Sequence, residues 1–118
     1  MLRPEDAYEL YERAWHEPEH AAALLEECWA EDGVYADDEL PDGVVGRAAV
    51  ADMIAETYES LPGFKVWRTS EPRLLAGRLV LTWSQEGGDP AESFGGADVI
   101  EFAADGRIAR VTGVLITT

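Results

Sequence analysis

The sequence predicts an α+β domain, because its apolar residues first recur at helical spacing and then, from Phe64 onward, at strand spacing. The order supports the same class. Helices come first, and consecutive β-rich runs joined by turns follow, rather than alternating β and α units. No linker, repeat or low-complexity tract interrupts residues 1–118, so one domain is expected.

Pro4-Glu5-Asp6 reads as a helix start, with proline pre-set for the first turn and acids near the positive end of the dipole. Ala7, Leu10, Tyr11, Ala14 and Trp15 then fall on one face, and Pro18 stops the helix. A second helix is expected from Ala21 to Ala30, with Ala21, Leu24, Leu25, Cys28 and Trp29 as its stripe. After a loop containing Pro41, Gly43 and Gly46, a third runs from Arg47 to Leu61 and ends at Pro62-Gly63. Its face is Val50, Met53, Ile54, Thr57, Tyr58 and Leu61.

A short strand is expected at Gly33 to Asp37, between the second and third helices. Phe64 to Thr69 alternates, and Arg73 to Glu86 carries two β-rich pieces around Ala76-Gly77. Gly87-Gly88-Asp89-Pro90 is a turn. Glu92 to Phe102 and Ile108 to Thr117 are the last two strands, joined by the hairpin signal Ala104-Asp105-Gly106-Arg107.

The composition bounds the function. A chain of 118 residues buries roughly two thirds of its unfolded surface, and its 47 % hydrophobic content suits a globular core. With 24 acidic against 9 basic residues the net charge is −15. Phosphate backbones and anionic membrane surfaces both need clustered Lys and Arg, so neither nucleic acid nor membrane is the expected partner. Cys28 is the only cysteine, which rules out an internal disulfide, and its place on a helical stripe marks a buried, inert thiol. No signal-peptide core or run of about eighteen apolar residues is present, and a cytoplasmic protein is expected.

Three segments carry a family resemblance: LLEECWAEDGVYADD (Leu24 to Asp38), GRAAVADMIAETYESLPGFK (Gly46 to Lys65) and GGADVIEFAADGRIARVTGVL (Gly95 to Leu115). In this order they resemble the SnoaL-like group of the nuclear transport factor 2 superfamily. The resemblance implies a cone-shaped fold with three N-terminal helices packed on a curved antiparallel sheet. It also implies a deep pocket between the concave sheet face and the helices, and a homodimer through the outer face. Trp67 and Val99 would suit that interface. The same scaffold hosts isomerases, dehydratases, cyclases, epoxide hydrolases and binding proteins, so it does not fix an activity.

Set beside the ketosteroid isomerases of that superfamily, Asp37 in GVYADD matches the general base at the end of the first strand. Asp98 in GADVIEF matches the oxyanion-binding acid, and Tyr11 on the first helix matches the second oxyanion donor, with Tyr8 as the alternative. The chemistry is coherent. Asp98 alternates onto one strand face with Ile100 and Phe102, and a carboxyl among apolar neighbours is desolvated and stays protonated. Such a group and a buried tyrosine can hold a developing enolate while a carboxylate moves a proton next to a carbonyl. Asp38 stands where a proline often follows the base, and either it or Asp37 could take that role. Tyr35, Trp15, Trp29, Trp83 and Phe102 are the expected substrate-contacting wall.

Plainer readings stand beside these. Asp98 can be a satisfied polar group, Asp37 an ordinary strand-end acid, and Tyr11 core packing with its hydroxyl at the rim. His16 and His20 with Glu17 and Glu19 invite a metal, but Pro18 separates them and no further ligand is evident, so no metal is expected. Ser84 and Ser93 lack a nucleophile context, and Gly87-Gly88 and Gly95-Gly96 lack the lysine or helix start of a phosphate loop. An epoxide-hydrolase relay of Asp, Arg and Asp would draw on Arg68. The sequence thus leads to a pocket for a small apolar molecule, with no cofactor, acting by proton transfer beside a carbonyl. The alternative is a non-catalytic binding or dimerisation module.

Overall fold

The computed structural model describes residues 1–116. The elements follow in the order α1 (Pro4–His16), a short 3-10 turn (Pro18–His20), α2 (Ala21–Cys28), β1 (Trp29–Ala36), β2 (Val44–Val45), α3 (Arg47–Ser60), β3 (Lys65–Arg68), β4 (Arg73–Leu75), β5 (Arg78–Gly87), β6 (Glu92–Phe102) and β7 (Ile108–Ile116). The architecture is mixed α+β, three α-helices on a seven-stranded sheet. Thr117, expected at the end of the last strand, lies outside the described residues.

The helices form where the stripes predict. Proline occupies the first turn of α1 with Glu5 and Asp6 beside it, and Ala7, Tyr8, Tyr11 and Ala14 are its buried face. Ala21, Leu24, Leu25 and Cys28 are the buried face of α2. Gly46, at φ 94°, turns the chain into α3, whose buried residues are Val50 and Ile54.

The second helix differs from its expected span. It ends at Cys28, where Trp29 turns to extended backbone (φ −108°, ψ 130°) and opens β1. The parallel register of β1 on β7 shifts between Trp29 and Val34. That irregularity leaves Glu31 and Asp32 both exposed and hides the alternation that would have announced a strand before Gly33. A tie from outside the strand holds the junction: Arg47 donates from Nε to the Trp29 carbonyl at 2.7 Å.

The sheet runs in the order β2-β1-β7-β6-β5-β3, and β4 pairs with β5. β1 and β7 are parallel and the other pairs antiparallel. Leu25, Trp29, Val50, Ile54, Leu79, Ile100, Ile108 and Val111 fill the space between sheet and helices and are almost wholly buried. Alternation divides the strands: Leu81, Asp98 and Gly113 align across β5, β6 and β7 on the helix side. Ser84, Gly95 and Ile116 align on the outer side, with Trp67 of β3 opposite Ser84. Among the described residues, no helix is long and apolar enough to cross a membrane.

Candidate functional site

Beyond the packed core, the helix side of the sheet opens into a cavity of about 460 Å³, within the size range of small-molecule sites. Its wall draws on α1, the chain after β1, α3 and strands β3, β5, β6 and β7.

Asp98 sits mid-strand in β6, opposite Leu81 on one side and Gly113 on the other. Trp83 pairs with Gly96, two residues away on the same face, and its indole Nε1–H donates to Asp98 Oδ1 at 3.0 Å. Gly96 makes this possible. A methyl group there would lie 2.4 Å from Cζ2 of Trp83, so only glycine lets the indole lie across the strand. Phe94, the next residue on that face, packs edge-on to Trp83 with ring centres 6.2 Å apart. Burial pushes the Asp98 carboxyl from 3.8 up to about 7. The Trp83 N–H opposes that rise, and the Asp37 charge adds to it.

Asp37 follows the last residue of β1 and faces Asp98 across β7. A methyl group on Gly113 would meet Asp98 Oδ1 at 3.3 Å, Cβ of Asp37 at 3.4 Å and the Tyr35 hydroxyl at 3.6 Å. Gly113 is therefore the floor on which the two acids and Tyr35 converge. The Tyr35 hydroxyl donates to Asp37 Oδ2 at 2.8 Å, while the N–H groups of Glu39 and Leu40 both donate to Oδ1 at 2.9 Å. The carboxylate thus closes the turn after β1 and is held in one orientation. Asp38 points elsewhere: its Oδ2 accepts from the backbone N–H of Leu115 at 3.3 Å, and it contributes nothing to the cavity wall.

Tyr11 lines the cavity from α1 with its ring 5.4 Å from that of Trp29. Burial, with the Asp98 charge second, holds its phenol well above the ordinary value, so it stays a neutral donor. Tyr35 is raised in the same way, by burial first and Asp37 second. Trp15 and Trp83 line the cavity too, whereas Trp29 and Phe102 do not. Trp29 is completely buried beneath Tyr11 and against Gly33, and its indole N–H has no partner among the described residues. Phe102 packs on the core behind the cavity.

Sequence reasoning missed a second polar group on this wall. Glu12 Oε2 accepts both the Tyr8 hydroxyl (3.1 Å) and Arg68 Nε (3.2 Å), and the guanidinium also lies 5.8 Å from the centre of the Tyr8 ring. Arg68 reaches Glu71 as well, at 3.7 Å. Among the described residues it pairs with neither Asp37 nor Asp98. The spacing of Tyr8, Glu12 and Trp15 along α1 was the available signal, since it places a carboxylate on the edge of the apolar stripe.

The remaining candidates are placed apart. His16 Nε2 lies 3.0 Å from the Val66 carbonyl, and His20 lies beside Glu19. Among the described residues, no cluster of three or more His, Cys, Asp or Glu could hold a metal ion. Burial pushes the Cys28 thiol up to about 12, which makes it unreactive.

Comparison with known proteins places this geometry in a family. The chain is similar over 93 % of its length to a crystal structure of a candidate isomerase of the SnoaL-like family from Agrobacterium tumefaciens, with 25 % identity, 94 % of that chain covered and a TM-score of 0.78. A protein with a ketosteroid isomerase-like fold from Catenulispora acidiphila, solved in complex with trimethylamine, aligns over 95 % of this chain and 85 % of its own at 16 % identity (TM-score 0.75). An LEH-like epoxide hydrolase from M. tuberculosis aligns over 93 % and 76 % at 17 % identity (TM-score 0.69). No curated protein sequence matches the chain. The sequence model of the SnoaL-like domain matches residues 7–111, and the chain belongs to that family.

Proposed function

We propose that this protein takes a small, largely apolar carbonyl compound into the cavity and moves a proton on the carbon next to the carbonyl, as an isomerase, lyase or cyclase would. The observation that carries the reading is Asp98, an acid desolvated enough to be half-protonated near neutrality, beside the fixed carboxylate of Asp37. Because Asp98 Oδ1 accepts the Trp83 N–H, the proton of the neutral form sits on Oδ2 and is free to be donated. Tyr11 offers the second donor to a developing enolate oxygen. Asp37 is the base, oriented by Tyr35 and the turn amides. The chemistry assigned to these groups asks for no cofactor.

Turnover of a panel of small ketones tests this. Asp37→Asn, folded, loses turnover if Asp37 is the base, and retained turnover removes it from the mechanism.

One observation favours a second reading, a non-catalytic binding protein. The three hydrogen bonds to Asp37 engage both of its oxygens and tie the carboxylate to the turn, a role that asks for no proton transfer. A thermal-shift screen of apolar ketones, steroids and phenols separates the two, since binding without turnover selects this reading. The epoxide-hydrolase reading is the weakest, because Arg68 is committed to Glu12 and Glu71.

As to assembly, two copies are proposed to pair through the outer sheet face, where Trp67, Val114 and Ile116 are each about half exposed. Val114→Lys shifts such a dimer to monomer in sedimentation, and an unchanged mass removes the interface.

A further inference from the structure

Seven of the chain's eleven aromatic residues turn their rings to the cavity wall; Trp29, Tyr58 and Phe102 lie elsewhere, and the Trp67 side chain is on the outer sheet face. They come from both sides: Tyr8, Tyr11 and Trp15 from α1, and Trp83 with Phe94 from the sheet. Rings concentrated to this degree present many electron-rich faces to one volume.

The charges on the same wall are one-sided. Five carboxyl groups line it: Glu12, Asp37 and Asp98 along the interior, Glu39 and Glu56 exposed at the rim. Against them stand Arg68, already paired with Glu12 and Glu71, and His16, beside the Val66 carbonyl. Asp98 Oδ2 has no hydrogen-bond partner among the described residues. A neutral apolar ligand would use the rings but none of this potential, and an anion would work against it and against the net charge of −15.

We infer that the cavity selects a small organic cation, a ligand bearing a substituted ammonium group that sits against the rings with the carboxylates as its counter-charge. The inference rests on the reading that this cavity is the ligand site and narrows what enters it, so that the carbonyl compound carries its ammonium at the non-reacting end.

The test uses two probes of one shape, choline and its uncharged carbon analogue 3,3-dimethylbutan-1-ol, titrated by calorimetry at low salt. Choline is expected to bind at least tenfold tighter. In the nitrogen-15 spectrum the indole N–H signals of Trp83 and Trp15 should move on saturation, while that of fully buried Trp29 should not. Equal or tighter binding of the neutral analogue overturns the inference and leaves the apolar-ligand reading standing. Choline shifts confined to surface residues, or no binding of either probe, overturn it too. Whether the site binds carbonyl compounds at all is read separately, from the ketone panel.

Discussion

The Trp83 indole and the Asp98 carboxyl are joined by a 3.0 Å hydrogen bond between neighbouring strands, although the register pairs Trp83 with Gly96. The diagonal reach exists because Gly96 has no side chain to lift the indole off the sheet. It fixes which Asp98 oxygen is occupied and opposes the effect of burial on that acid. Trp83→Phe keeps most of the ring and removes the donor. A hydrogen bond to a charged group is worth about 1.5–3 kcal/mol, and about 1.4 kcal/mol is a factor of ten. Asp98 should become a roughly tenfold weaker acid or more, read as a higher midpoint in a carboxyl NMR titration. An unchanged midpoint would show that the bond does not act on the charge.

Asp98 also makes stability depend on pH. Its folded-state value is about 7 against 3.8 in the unfolded chain, so the folded state holds the proton more tightly. The associated stability is fully present below about pH 4 and is lost as pH rises through about 7. The loss is on the order of 4 kcal/mol at about 1.4 kcal/mol per tenfold change. Asp98→Asn, which cannot ionise, should therefore lose less stability between pH 5 and pH 8 than the parent does. Urea unfolding at the two pH values checks this, and parallel behaviour of the two proteins would contradict it.

The two neighbouring acids should behave differently. Asp37 lines the cavity, whereas Asp38 accepts from the Leu115 amide and takes no part in the wall. If proton transfer occurs, Asp37→Asn should cost about 10²–10⁴ in kcat, the range for a positioned base, while Asp38→Asn should change it by no more than a few-fold. A larger loss in Asp38→Asn would exchange their roles.

Gly113→Ala probes the floor between the acids. The added methyl would sit 3.3 Å from Asp98 Oδ1 and 3.4 Å from Cβ of Asp37, close enough to displace side chains without forbidding the strand. Ligand affinity should fall about tenfold or more while stability changes by no more than the roughly 1–3 kcal/mol typical of overpacking. Unchanged affinity would place the ligand away from Asp37 and Asp98.

Much of this was legible in the sequence, for identifiable reasons. The stripes of α1 and α3 and the alternation of β6 are regular, so Tyr11 and Asp98 could be assigned to buried faces before any coordinates. The helix-to-strand junction was less legible. Trp29 satisfies a helical stripe as well as a strand, and the shifted register from Trp29 to Val34 removes the alternation that would have decided it. The two-residue β2 lies in what reads as a loop, because Val44–Val45 is too short for any period to show. The Glu12–Arg68 pair joins residues far apart in sequence, and no local pattern encodes that they meet. For the same reason Gly96 and Gly113 read as weak strand positions, although each one is where another side chain crosses.

The central claim is that the cavity keeps Asp98 protonated up to about neutrality, beside a fixed carboxylate. A carbon-13 carboxyl titration of the unliganded protein, with Asp98 assigned from Asp98→Asn, tests it most directly. The account predicts a midpoint near 7 for Asp98. A midpoint near the model carboxylate value of about 4 would mean that Asp98 is solvated or charge-paired, and would contradict the account.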